Sequence, residues 1–185
     1  EKNFGAEFIG IDKSEIHLQE AQELGIIDRF ENFENGVKNA DLIITAIPVD
    51  ATVKILPQVL DLITDKQTVM DTGSTKSGIV EAIKNHPNRK RFVAFHPMWG
   101  TENSGPKAAQ KESFAGRAAV ICDREDSEQD ALALVENIEK NLEMHLIYMN
   151  ADAHDVHTAY ISHISHITSY ALANTVLEKE REEDT

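Results

Sequence analysis

The chain is 185 residues long, 41% of them hydrophobic, and carries a net charge of −14 from 18 basic and 32 acidic side chains. That length supplies one full domain and part of a second, while so acidic a balance offers no basic track for the phosphates of a nucleic acid or the headgroups of an anionic membrane. The longest apolar runs fall far short of the roughly 20 residues that a membrane-spanning helix needs.

Ala6 to Asp12 reads as a short apolar strand ending in an acid, and helical spacing from Ser14 to Leu24 follows it, with Gly25 as the stop. Asp41 to Pro48 is a near-continuous Leu/Ile run, the pattern of a strand buried on both faces of a parallel sheet, and Pro48 closes it. Val53 to Ile63 returns to helical spacing, Gln67 to Asp71 is a short strand, and Gly73 to Gly78 opens a helix that runs through Lys84. Three more strands are predicted at Arg91 to His96, Ala118 to Cys122 and His145 to Met149, the last two flanking an acidic helix from Ser127 to Asn141. Alternating strands and helices imply an α/β fold with a Rossmann-like, mostly parallel sheet built from right-handed crossovers. Cys122, the single cysteine, lies in an apolar strand as inert core, and one thiol allows no internal disulfide, which points to a cytoplasmic setting.

From Ala151 onward neither Gly nor Pro occurs and no strand signal appears, so one long helix is expected. A domain boundary is placed near Asn150, with an N-terminally truncated α/β unit over residues 1–150 and the first helix of a helical domain over residues 151–185. No initiator Met precedes Glu1 and the last residues run inside a helical pattern, so both ends read as cropped.

In a doubly wound nucleotide fold, the acid at the tip of the second strand hydrogen-bonds the adenosine ribose and its charge rejects an extra phosphate there. Asp12 occupies such a tip and is followed by Lys13 rather than by an arginine cluster, which favours NAD over NADP. Asp12 or Ser14 could instead simply cap the next helix. The strand and Gly-x-Gly-x-x-Gly turn that should precede it are absent from the chain. A sheet without that first strand would leave two neighbours short of a ladder partner.

Three loops follow strand ends, where ligands bind in open α/β sheets. The first, residues 46–48, offers Ile47 and Pro48 to the cofactor. The second, residues 71–76, carries Ser74, either as a helix cap or as a hydroxyl aimed into the cleft. The third, residues 96–105, begins with His96 at the end of an apolar strand, where an imidazole with a pKa near 6.5 could take a proton from a substrate hydroxyl at neutral pH. On the long helix His154, His157, His163 and His166 crowd together beside Asp155 and Ser162. At about 100° per residue, Asp155, Ser162 and His166 fall within about 40° of one another, a polar stripe suited to an anionic substrate. No metal is expected, because neither His-Glu-x-x-His nor a cysteine pair accompanies these histidines. No Gly-x-Ser-x-Gly elbow supports a serine hydrolase either.

The run Asp71-Thr-Gly-Ser-Thr-Lys76, then His96-Pro-Met-Trp-Gly-Thr-Glu-Asn-Ser-Gly105, then Phe114-Ala-Gly116, then Ser162-His-Ile-Ser-His166 resembles the prephenate/arogenate dehydrogenases of tyrosine biosynthesis, over nearly the whole chain. The resemblance implies an NAD(P)-binding domain followed by an all-helical domain through which two subunits dimerise. It implies that His96 accepts the proton of the ring hydroxyl, that Ser74 lies close to that hydroxyl and the nicotinamide, and that Thr101, Ser162 and His166 contact or orient the substrate. The implied reaction is NAD-dependent oxidative decarboxylation of prephenate to 4-hydroxyphenylpyruvate, with arogenate as the alternative substrate. The chain departs from the family in lacking the glycine-rich turn. The substrate-binding arginine would lie beyond Thr185, with Lys76 as a weak substitute. Trp99 stands where many members carry Ala or Phe. Two other readings share parts of the pattern: a β-hydroxyacid-type NAD-dependent dehydrogenase, which would normally use a lysine on the long helix, and a non-catalytic dinucleotide-sensing module.

Overall fold

The computed structural model describes residues 5–101, 103–111 and 113–183, except the side chains of 162, 163, 165, 166 and 177–183. In chain order the elements are β1 (Ile9–Gly10), α1 (Glu15–Glu23), β2 (Arg29–Phe30), α2 (Phe33–Asn39), β3 (Leu42–Thr45), α3 (Val49–Leu62), β4 (Thr68–Asp71) and α4 (Ser77–Ile83). There follow β5 (Phe92–Pro97), β6 (Ala118–Cys122), α5 (Gln129–Asn141), β7 (His145–Met149), α6 (Ala151–Thr158), a π-helical turn (Ala159–His163) and α7 (Ile164–Glu183). Helix starts are written locally: the side chains of Ser14, Asn32 and Asn150 accept the N–H of His17, Asn35 and Ala153, each capping the helix it precedes. Gly25 ends α1 at φ +67°, a left-handed conformation that costs glycine little.

The strands form a Rossmann-like arrangement in two pieces, β1 paired with β2, and β3-β4-β5-β6-β7 in that order. Among the described residues no ladder joins the β1-β2 pair to the five-stranded sheet. All pairs are parallel except β5 with β6. That exception arises because the described residues between 98 and 117 form a loop with a 3₁₀ turn rather than a crossover helix, so the chain returns on itself. The first predicted strand shrinks to two residues, and its partner β2 together with α2 lies in a stretch whose apolar pattern predicts neither.

Alternation along the strands sorts the core onto two faces. Val69, Phe92, Ala94, Val120 and Cys122 pack with Leu56, Leu60, Ile79 and Ala151 from α3, α4 and α6. Met70, Val93, Phe95, Ala119 and Ile121 pack on the other face with Ala131 and Val135 of α5. Parity therefore turns His96 to the face that carries α6. The expectation that Asp41 to Pro48 is buried on both faces does not hold. Ile44 of β3 is 49% exposed, because α5 packs chiefly on β4, β5 and β7 and, of the β3 residues on that face, Leu42 packs against its cluster.

The described residues after Asn150, 151–183, are helical, but they do not form one uniform α-helix. The π turn at Ala159–His163 interrupts it, and each residue accommodated beyond 3.6 per turn rotates the remainder of the helix by about 100°. The uniform step that would align positions 155, 162 and 166 on one stripe therefore does not cross this turn. Asp155 also faces elsewhere, toward the start of α4.

Candidate active site

Because β3, β4 and β5 run parallel, their carboxyl ends meet along one edge, and the loops after them carry the chemistry. Asp71 ends β4 fully buried. Its carboxylate accepts the N–H of Gly73 at 2.9 Å and of Phe95 at 3.1 Å, and it also binds the Lys76 ammonium. Position 73 has to be glycine for this fold-back, since a Cβ would stand 2.9 Å from the Asp71 carboxylate and 3.0 Å from Ile79. Lys76 Nζ donates in addition to the Phe95 carbonyl at 2.7 Å. Burial pushes Asp71 up and Lys76 down, and each partner's charge opposes that drift. Lys76, at 0% exposure, therefore cannot stand in for a substrate-binding arginine. It fixes the backbone of Phe95, one residue before His96.

His96 and Ser74 come together. They line one open cavity of about 400 Å³ with Thr72, Trp99, Gly100 and Thr158, a volume within the ordinary range for small-molecule sites. Ser74 is exposed to this cavity and does not cap α4, whose N-cap position is Lys76 without a side-chain bond. The cap comes from α6 instead: Asp155 accepts the N–H of Lys76 at 2.7 Å and of Ser77 at 2.9 Å. The His96 ring meets His154 edge-on, with 5.1 Å between centroids and planes at 75°. Its Nδ1 lies 2.9 Å from Nε2 of His154, and Nδ1 of His154 lies 2.8 Å from Asp155 Oδ1. Burial works to raise the Asp155 pKa, but hydrogen bonds from His154, Ser77 and Lys76 outweigh it and hold the carboxyl below its usual range.

Thr101 is not in this cavity. It lines an adjoining hollow of about 410 Å³ that shares Trp99 and Gly100 with the first, and its hydroxyl accepts the Asn103 N–H at 3.3 Å. Trp99 forms the partition, with the Arg117 guanidinium stacked 4.4 Å over its ring. The side chains of Ser162 and His166 lie outside the described residues.

For a dinucleotide, the candidates are Asp12, Ile47 and Pro48. Asp12 follows β1 with its carboxylate partly exposed, accepting the Ser14 N–H at 2.7 Å and standing 3.8 Å from His17 Nδ1. That geometry leaves acceptor positions for a ribose diol. Ile47, 40% exposed, and Pro48 follow β3 at the entry to α3, whose first turn has no side-chain cap. An exposed apolar side chain beside open backbone N–H groups suits a flat ring next to a phosphate.

His154, which meets His96 in the structure, is left undistinguished among four histidines by sequence reasoning. Its signal is its spacing: Ala151, His154 and Thr158 are the buried positions of α6, so this imidazole sits on the inward stripe of small residues.

The sequence model described as "Prephenate dehydrogenase, nucleotide-binding domain" matches residues 1–148, and the one described as "Prephenate dehydrogenase, dimerization domain" matches residues 150–185. The chain is 33% identical over 154 residues to a prephenate dehydrogenase of Bacillus subtilis, covering 82% of this chain and 42% of that protein. It thus spans less than half the length of that relative. The crystal structure of Aquifex aeolicus prephenate dehydrogenase, in complex with hydroxyphenyl propionate and NAD+, superposes with a TM-score of 0.85 at 26% identity. That match covers 95% of this chain and 62% of the other. A Synechocystis arogenate dehydrogenase shares the fold, with a TM-score of 0.80 at 23% identity over 92% of this chain and 61% of that one.

Proposed function

We propose, from the premise that this chain belongs to the prephenate dehydrogenase family, that it forms the nucleotide-binding unit and the start of the dimerisation unit of an NAD-dependent enzyme. The enzyme converts prephenate to 4-hydroxyphenylpyruvate in tyrosine biosynthesis. Residues 1–150 are the first unit and 151–185 belong to the second. NAD accounts for the pairing of an acid at Asp12 with the exposed Ile47 and Pro48, and when bound it supplies the hydride acceptor.

The observation that carries this reading is His96, held at the end of a buried strand and sharing one cavity with Ser74. Neutral His96 takes the proton of the ring hydroxyl as that carbon loses its hydride. Loss of carbon dioxide then leaves its electron pair to complete the aromatic ring, and the proton on His96 returns to the phenolate oxygen. Ser74 orients the hydroxyl, and Trp99 and Thr158 wall the ring from solvent. The task asked of the chain is alignment and one proton transfer. Thr101, Ser162 and His166 complete the substrate contacts. Homodimerisation through the helical region is supported by exposed apolar side chains on the π turn and α7, among them Tyr160, Ile167 and Tyr170. A cytoplasmic setting is supported by the single, buried thiol of Cys122.

The test is NADH absorbance on adding prephenate to the whole protein. His96→Asn should lower kcat by at least about 10²-fold, within the range for a general base, with NAD affinity little changed. A variant with normal turnover would remove His96 from the mechanism. Binding of NAD without turnover of prephenate by the unaltered protein would favour the sensing module.

A further inference from the structure

The bond between His96 and His154 has a direction, and the protein dictates it. Asp155 is hydrogen-bonded as an ionised carboxylate: Oδ1 accepts the Lys76 N–H at 2.7 Å and Oδ2 the Ser77 N–H at 2.9 Å. A carboxylate only accepts, so the contact of 2.8 Å with His154 requires the proton on His154 Nδ1. A neutral His154 then presents a lone pair at Nε2, and its contact of 2.9 Å with His96 requires the proton on His96 Nδ1. The lone pair of His96 is thereby assigned to Nε2, on the opposite side of its ring. His154 is 1% exposed, so water cannot readily substitute for either partner.

We propose that His154 and Asp155 are positioning residues that fix the tautomer and orientation of His96 through this chain of hydrogen bonds, so that Nε2 is the basic nitrogen in the cavity. The proposal rests on the reading of His96 as the proton acceptor. Without the chain, His96 could carry its proton on Nε2 and meet the substrate as a donor, which cannot accept the hydroxyl proton. With it, the cation formed on His96 faces a dipole whose far end is a carboxylate, an indirect form of the support an aspartate gives a catalytic imidazole. The same carboxylate caps α4, so the loop carrying Ser74 and the imidazole of His96 are referenced to one group. Among the described residues, the titratable groups around His96 are His154 and Asp155 from α6, the Lys76–Asp71 pair at Phe95, and Cys122 on β6.

The test uses the whole protein and two substitutions. His154→Gln keeps an acceptor for His96 Nδ1 and breaks the link to Asp155, whereas His154→Phe removes both. kcat for prephenate should fall about 10- to 100-fold in the Phe variant and less in the Gln variant, with KM and NAD affinity within about twofold of the parent. The acid limb of the kcat/KM profile should move to lower pH in both, because the cation on His96 loses its carboxylate support. Wild-type turnover and an unmoved profile in the Phe variant would overturn the proposal. Should the Phe variant fail to fold, ¹⁵N chemical shifts of the imidazoles in the unaltered protein decide: protonated Nδ1 with bare Nε2 on His96 supports it, and the reverse tautomer overturns it. If the unaltered protein shows no turnover of prephenate, the functional reading fails, while the nitrogen shifts still report on the relay.

Discussion

Lys76→Met separates a structural cation from a substrate cation. Lys76 and Asp71 are both 0% exposed, and the pair has no solvent to fall back on. Removing the lysine leaves the Asp71 carboxylate with only the N–H groups of Gly73 and Phe95, and breaking one side of a buried pair typically costs about 3–5 kcal/mol. The loss should grow with pH. Without Lys76 the Asp71 pKa rises further above its ordinary value, so the folded state favours the protonated acid and loses stability as the pH climbs above the unfolded pKa. Asp71→Asn alone should cost a similar amount, because it strands the ammonium. The double variant has no buried charge and loses mainly hydrogen bonds, to one backbone N–H and to the Phe95 carbonyl, at about 1–3 kcal/mol each. Urea unfolding of the four proteins should therefore give a favourable coupling energy, about 4 kcal/mol at the midpoints of these ranges. A Lys76→Met protein within about 1 kcal/mol of the parent, with KM for prephenate raised tenfold, would refute the reasoning and return Lys76 to the substrate.

Glu139 on α5 is 2% exposed, and among the described residues its Oε2 has no hydrogen-bond partner. Burial pushes its carboxyl up to about 7, so stability falls as the pH rises from the ordinary glutamate range toward neutrality. Glu139→Gln should raise stability by up to about 3 kcal/mol at pH 8 and by little at pH 4, and a gain in melting temperature that does not vary with pH would contradict this. Burial also pushes the Cys122 thiol up to about 12. Native protein should therefore leave Cys122 unmodified by a thiol reagent that labels it promptly in urea, and rapid labelling without denaturant would show that this strand opens.

Features whose cause is local were legible in the sequence. β6 and β7 fall on the residues expected because each is an apolar run bounded by breakers, and α1 follows the Ser14 cap and ends at Gly25. His96 could be placed at a strand end facing a loop because the period of two in β5 and the following proline are written in adjacent residues. Weak local signals failed where structure depended on neighbours: β2 is two residues long and exists through its pairing with β1.

Contacts between distant residues were decided only by packing. His154 lies 58 positions from His96, and Asp155 lies 79 from the N–H it caps. No period or cap rule connects such pairs, and their meeting depends on parity turning His96 toward α6 and on α6 lying beside α4. Lys76 looked like a free cation because a charged side chain is usually solvated, and it became a buried strut because Asp71 and the Phe95 carbonyl close around it. The sequence alone thus determined which residue types stand at the carboxyl ends of the strands. The tertiary structure decided which of them share a cavity and which ring nitrogen of His96 meets His154, because burial removes the water that would otherwise satisfy each group separately.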